Sequence, residues 1–264
     1  MNRDGVTYSA AGMDPGRSAD LWENARVTQL PALVLFDLDG TLVDPAGAIT
    51  SGIAGALEAA GLPVPPEHTL GTLVGPPLGD SLRGAGVPEH RLGEVIDLYR
   101  AGYREHGMAA SRVYPGMAEV LERLLAAGMM LAVATQKPTG LARDLLRLKG
   151  LDPFFENIHG AEGDDPAPSA PGLGKVPILQ AALEAAESFG PVVMVGDRLY
   201  DMAAARHLGI PGIGVSWGFA ADGELEAAGA SAVVHSMPEL EAAIGRLAVG
   251  QQEAAPAGAP GPAA

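Results

Sequence analysis

Four clusters in this sequence have the residue types and spacing to act together on one ligand. The first is Phe36-Asp37-Leu38-Asp39-Gly40-Thr41, directly after the apolar run Ala32 to Phe36. Residues two apart in an extended chain project to the same side, so the carboxylates of Asp37 and Asp39 can approach one ligand. Gly40 and Thr41 then turn the chain and offer backbone N–H groups to an anion. The plainer reading of the same run is a helix-entry turn with Asp and Thr as caps. The second cluster ends the apolar run Met129 to Ala134: Thr135 supplies a hydroxyl and Gln136 an N–H. Here the alternative is a threonine capping the helical segment that starts at Thr139. The third is Gly196-Asp197-Arg198-Leu199-Tyr200-Asp201. If a helix starts there, Asp197 and Asp201 share a face about one turn apart, and capping by the helix dipole is the competing role. Facing Asp37 and Asp39, they would instead bind a hard divalent cation. Mg²⁺ suits such a site, because it takes carboxylates together with water and phosphate oxygens. The fourth is Lys175, which opens a helical segment in a chain poor in lysine. It is either a solvated surface residue or, with Thr135, a group that neutralises phosphate charge.

These residues need a frame that brings them together, and the hydrophobic pattern supplies one. Short apolar runs at Ala32–Phe36, Met129–Ala134, Val192–Val195, Ile210–Val215 and Ala232–His235 read as parallel strands covered on both faces, with a weaker strand at Asn157–His159. Helical spacing of Leu, Ala and Ile separates them at Met117–Ala127, Thr139–Leu148, Val176–Ser188 and Tyr200–Leu208. Gly128, Gly150, Gly190 and Gly209 stand where helices stop. Alternation of this kind predicts an α/β fold, a Rossmann-like doubly wound parallel sheet. Ligands in such sheets bind beyond the carboxyl ends of the strands, where the acidic pairs fall.

Residues 46–113 break the alternation. No convincing strand is present, only helical segments at Ile49–Ala60, Pro77–Arg83 and His90–His106, closed by the turn Tyr114-Pro115-Gly116. They read as an inserted α-helical domain above the site, between core segments 31–45 and 114–248. Residues 1–30 and 249–264 read as disordered extensions, with a short helix allowed at Asp20–Val27, and the Pro/Gly/Asp-rich stretch 160–174 as a mobile loop.

Composition narrows the function. Of 264 residues 47% are hydrophobic, enough for one large α/β domain or a core with an insert. A formal charge of -15 without a basic cluster argues against nucleic-acid polymers and anionic membranes. Attraction for an anionic substrate must then come from a metal and a few local groups. The absence of cysteine excludes disulfides and thiolate metal sites. No signal-like h-region and no apolar run near ~20 residues appears, so a cytoplasmic protein is expected.

The set FDLDGT at Phe36–Thr41, Thr135 after a strand, Lys175, and GDxxxD at Gly196–Asp201 resembles the haloacid dehalogenase superfamily from about Pro31 to Leu247. The insert resembles its C1-type cap. Val74-Gly75-Pro76-Pro77-Leu78, Val133-Ala134-Thr135-Gln136-Lys137-Pro138 and Met194-Val195-Gly196-Asp197-Arg198 are similar to a branch of phosphoglycolate phosphatases and 5′-nucleotidase-like hydrolases. The segment before Lys175 departs from that pattern, being longer and richer in Pro and Asp. The resemblance implies a Mg²⁺-dependent phosphomonoesterase acting on a small phosphorylated metabolite. Asp37 would be the nucleophile and Asp39 the general acid/base. Asp37, the Asp39 carbonyl and Asp197 would hold the metal, while Thr135, Gln136 and Lys175 hold the phosphate. Asp201 would orient Lys175 or a metal-bound water, and Arg83 and the Gly75–Pro77 loop are candidate cap contacts. Asp39 itself speaks for phosphate chemistry, since the superfamily's dehalogenases lack an acid there. A β-phosphoglucomutase-like mutase keeps the same core residues. A catalytically idle binding protein should have lost one of them, and none is lost.

Overall fold

The computed structural model describes residues 30–45, 47–161, 173–186 and 188–253. In chain order the strands are β1 (Leu33–Phe36), β2 (Val43–Asp44), β3 (Arg112–Val113), β4 (Met130–Pro138), β5 (Asn157–Ala161), β6 (Val192–Gly196), β7 (Gly212–Val215) and β8 (Ala232–Val234). The helices are α1 (Ala48–Ala59), α2 (Glu67–Thr72), α3 (Leu78–Gly84), α4 (Leu92–Gly102), α5 (Met108–Ala110), α6 (Met117–Ala126), α7 (Thr139–Leu148), α8 (Val176–Ala185), α9 (Leu199–His207), α10 (Glu224–Ala227) and α11 (Met237–Glu253). Among the described residues, six strands form one parallel sheet in the order β5-β4-β1-β6-β7-β8.

Successive side chains of a strand point to opposite faces, and here both faces are covered. Val34 and Phe36 pack with α6, α7 and α11, whereas Leu33 and Leu35 pack with α8 and α9. This is why β1 reads as an unbroken apolar run. The chain leaves β1, builds β4 and β5 on one side, and crosses back to build β6, β7 and β8 on the other. Phe36 lies level with Val133 and Val195, so the residues that follow all three strands meet at one sheet edge.

The helical insertion leaves and returns through a two-stranded antiparallel stem, Val43 opposite Val113 and Asp44 opposite Arg112. Its helices bury a cluster of their own, built from Ile53, Leu57, Leu82, Val95, Ile96 and Tyr103 among others. Three expectations change here. A short strand, β3, lies within 46–113, and α2 was not foreseen. The segment expected as one helix over His90–His106 divides into a 3₁₀ turn at Glu89–Arg91, α4, and a π-helical turn at Tyr103–Gly107.

In the core, α8 stops at Ala185 rather than Ser188, and Gly190 does not cap it. Gly128, Gly150 and Gly209 do adopt left-handed φ of 80°, 69° and 70°, as helix stops require. The backbone of α11 runs to Glu253, several residues into the expected tail. The expected helix at Asp20–Val27, the remaining terminal stretches and most of the 160–174 loop lie outside the described residues. Among the described residues no helix is long and apolar enough to cross a membrane.

Candidate active site

Asp37 leaves the end of β1, its N–H donating to the Val195 carbonyl at 2.9 Å. Its side chain remains 13% exposed and reaches Lys175 Nζ at 2.7 Å. Lys175 precedes the first turn of α8, is buried, and also pairs with Asp201. Asp201 sits in the first turn of α9 and accepts the Arg198 N–H at 2.9 Å, so it caps that helix as well. The lysine departs from the surface reading: one buried ammonium joins the carboxylates of Asp37 and Asp201.

 Asp37 and Asp201 lie 164 positions apart in the chain, and Lys175 lies 26 before Asp201, so the contact is purely tertiary.

Asp197 directly follows β6 and is fully buried. The Thr41 hydroxyl donates to its Oδ1 at 3.2 Å and the Phe219 N–H to its Oδ2 at 2.9 Å. A Cβ at Gly40 or Gly218 would collide with this carboxylate, so both positions require glycine. Ligand oxygens of Asp37, Asp197 and Asp201 lie within 4.8 Å of one another. Burial, then the neighbouring Asp37 and Asp201, push the Asp197 carboxyl well above the usual range. Burial likewise pushes Asp201 up to about 6, against the pull of Lys175. For Lys175 burial disfavours the ammonium, but Asp201 and Asp37 outweigh it and raise its pKa. Lys175 pairs with two of these three carboxylates, and a cation among them would relieve their repulsion. An all-oxygen, partly buried donor set fits a hard divalent ion.

Asp39 points elsewhere. Its Oδ2 pairs with Lys137 Nζ at 2.6 Å, and both side chains are largely buried. Thr135 and Gln136 lie on β4, which continues past its expected end to Pro138. With Asp37, Asp39 and Lys137 they line a cavity of about 560 Å³ between the sheet end and the insertion. Gly75, Pro76 and Pro77 line it from the insertion, as do Ile49, Ile53, Leu78, Tyr99 and Arg100.

Two expectations fail. The N–H groups of Gly40 and Thr41 are not offered to an anion, because they donate within the turn to the carbonyls of Val43 and Leu38 at 2.8 and 3.3 Å. Thr41 instead steadies Asp197. Arg83 is not among the cavity residues; it pairs at the surface with Asp80 at 3.1 Å and Glu89 at 3.0 Å.

A family model described as haloacid dehalogenase-like hydrolase matches residues 34–215. The chain belongs to the haloacid dehalogenase-like hydrolase family. It is 38% identical over 218 residues to the tyrosine-protein kinase PtkA of Mycobacterium tuberculosis, covering 81% of this chain and 73% of that one. To a 5′-nucleotidase of Pseudomonas aeruginosa it is 37% identical, covering 74% and 86%. To a phosphoglycolate phosphatase of Caulobacter vibrioides it is 33% identical, covering 79% and 89%. The solved structure of a predicted phosphatase from Clostridium acetobutylicum superposes with a TM-score of 0.74 at 34% identity, covering 83% of this chain and all of that one.

In this hydrolase Lys137 and Arg198 stand inside motifs that assign them no role, and the Trp217-Gly218-Phe219 turn falls outside those motifs. That turn follows β7, and the rule that ligands gather at strand ends would have pointed to it. Arg198 follows Asp197, pairs with Glu224 at 2.9 Å and donates to the Val74 carbonyl of the insertion. No spacing in the chain signals that second contact.

Proposed function

We propose that this hydrolase cleaves small phosphate monoesters in two steps through an aspartyl-phosphate on Asp37. The observation that carries the reading is the meeting of Asp37, Lys175, Asp197 and Asp201 at the ends of β1 and β6, beside a cavity that also contains Asp39. Asp37 is the member of its carboxylate cluster that keeps an exposed edge, as a nucleophile must. Its carboxylate attacks phosphorus and the leaving oxygen departs, taking a proton from Asp39. Asp39 then removes a proton from the water that hydrolyses the acyl phosphate. Thr135, the Gln136 N–H and Lys175 hold the phosphate oxygens, and Asp201 fixes Lys175. Asp37, the Asp39 carbonyl and Asp197 would hold Mg²⁺, which when bound supplies positive charge against the repulsion between carboxylate and phosphate. The insertion acts as a cap over the cavity and excludes water.

Support for this reading includes the phosphatase names among the relatives. Phosphoglycolate and nucleoside 5′-monophosphates are the two substrate classes those names offer, phosphoglycolate first. A second reading, transfer of the phosphoryl group to a tyrosine hydroxyl, is favoured by the similarity to PtkA. Mg²⁺-dependent phosphate release from p-nitrophenyl phosphate, phosphoglycolate and AMP tests the first reading. Transfer from labelled ATP to a tyrosine peptide, without release of phosphate from any monoester, would overturn it in favour of the second.

A further inference from the structure

Lys137 is an unusual residue to find under a helical insertion. Its side chain is 6% exposed, and it is clamped from two sides. Below, its ammonium holds Asp39 Oδ2 at 2.6 Å. Above, the ring of Tyr103 lies with its centroid 4.3 Å from Nζ. A cation over an aromatic face in a desolvated site is held by the ring's quadrupole. Tyr103 is fixed in turn by stacking on Tyr99, with centroids 5.8 Å apart. It opens the π-helical turn Tyr103–Gly107, and a Cβ at Gly107 would run into its ring. Irregular turns of this kind are frequent at functional sites.

The consequence appears at the other oxygen of Asp39. Oδ1 is buried, and among the described residues it has no hydrogen-bond partner. A buried carboxylate oxygen without a partner is costly, and such an atom calls for an explanation. With Oδ2 held by Lys137, the carboxylate cannot rotate freely, and Oδ1 is kept available for a ligand.

We propose that Lys137, roofed by Tyr103 of the insertion, is a positioning residue that fixes Asp39 so that Oδ1 serves the leaving-group oxygen. The proposal rests on the reading of Asp39 as general acid/base. It links the insertion to the chemistry: when the insertion lies over the sheet end, Tyr103 completes the clamp on the lysine that orients the acid. No new bond is made or broken in this role. Lys137 acts through Asp39 alone.

The leaving group separates this role from a structural one. For a two-step reaction, kcat/KM covers the steps up to departure of the alcohol. An alkoxide needs a proton at that point, and p-nitrophenolate does not. The experiment therefore compares kcat/KM on p-nitrophenyl phosphate with that on whichever of phosphoglycolate and AMP the wild type hydrolyses. Lys137→Met should lower the alkyl value at least ~10-fold more than the aryl value, as expected when a general acid is misdirected. Lys137→Arg should lie nearer the wild type. Tyr103→Leu should shift the same ratio by roughly fivefold, Tyr103→Phe should leave it unchanged, and Tyr103→Leu should add nothing in the Lys137→Met background. Equal losses on both substrates, or an alkyl-to-aryl ratio unchanged in Lys137→Met, would overturn the proposal. If Tyr103→Leu does not fold, the two Lys137 variants decide it. A wild type without Mg²⁺-dependent hydrolysis of any of the three esters overturns the underlying phosphatase reading instead, which is a separate result.

Discussion

The end of the sheet and the helical insertion treat charge in opposite ways. At the sheet end Lys175, Asp197 and Asp201 are at most 1% exposed, packed into a cluster that a hard cation would complete. The insertion buries apolar side chains and keeps its ion pairs, Arg83 with Asp80 and Glu89 and Arg91 with Glu94, at the surface. Buried charges are costly when a partner is removed, while exposed pairs contribute little. In the function proposed above, fixed charge at the sheet end would handle phosphate, and the mostly apolar insertion would shape the space for the rest of the substrate.

Substitutions on either side of that divide should sort by size. Asp37→Asn should abolish turnover of p-nitrophenyl phosphate, by more than ~10⁴-fold, with the circular dichroism spectrum intact. Activity surviving in that variant would exclude Asp37 as the nucleophile. Asp39→Asn should cost ~10²–10⁴-fold in kcat/KM on alkyl esters; full activity there would reject it as the acid. Lys175→Met leaves Asp201 and Asp37 without their shared cation and should lower unfolding stability by about 3–5 kcal/mol in a urea titration without metal. A stability unchanged in that titration would mean that the buried ion cluster is not what holds the sheet end together.

The metal gives a smaller, non-catalytic readout. Mg²⁺ at 100 times its dissociation constant should stabilise the native protein by about 2.7 kcal/mol, seen as a higher melting temperature. Asp197→Asn should remove most of that shift, and an undiminished shift would place the ion elsewhere. Least of all, Arg83→Ala on the insertion should change stability by less than about 1 kcal/mol and leave hydrolysis unaltered. A large loss of activity would restore Arg83 to the site.

Much of this division can be read from residue order. Apolar runs long enough for strands buried on both faces mark the sheet, and polar residues at their carboxyl ends mark Asp37, Thr135 and Asp197. Lys175 could be singled out because it opens a helix, although nothing local reveals that it is buried between two aspartates. The rest depends on contacts between distant segments. Strand β4 runs on to Pro138 because β5 pairs with it as far as Ala161, and this carries Lys137 to Asp39. The π turn under Tyr103 interrupts a pattern that sequence periodicity reads as one continuous helix. Gly40 and Thr41 illustrate the limit from the other side. A turn rich in N–H groups looks like an anion site until its own carbonyls are seen to accept them.

Covalent chemistry at Asp37 can be observed directly. The enzyme would be mixed with Mg²⁺ and p-nitrophenyl phosphate, quenched in acid during turnover, and treated with borohydride, which reduces an acyl phosphate to an alcohol. Peptide mass spectrometry should then find homoserine at position 37, dependent on substrate and absent from Asp37→Asn. Homoserine at another aspartate, or an unmodified Asp37 in enzyme quenched during active turnover, would rule out Asp37 as the nucleophile.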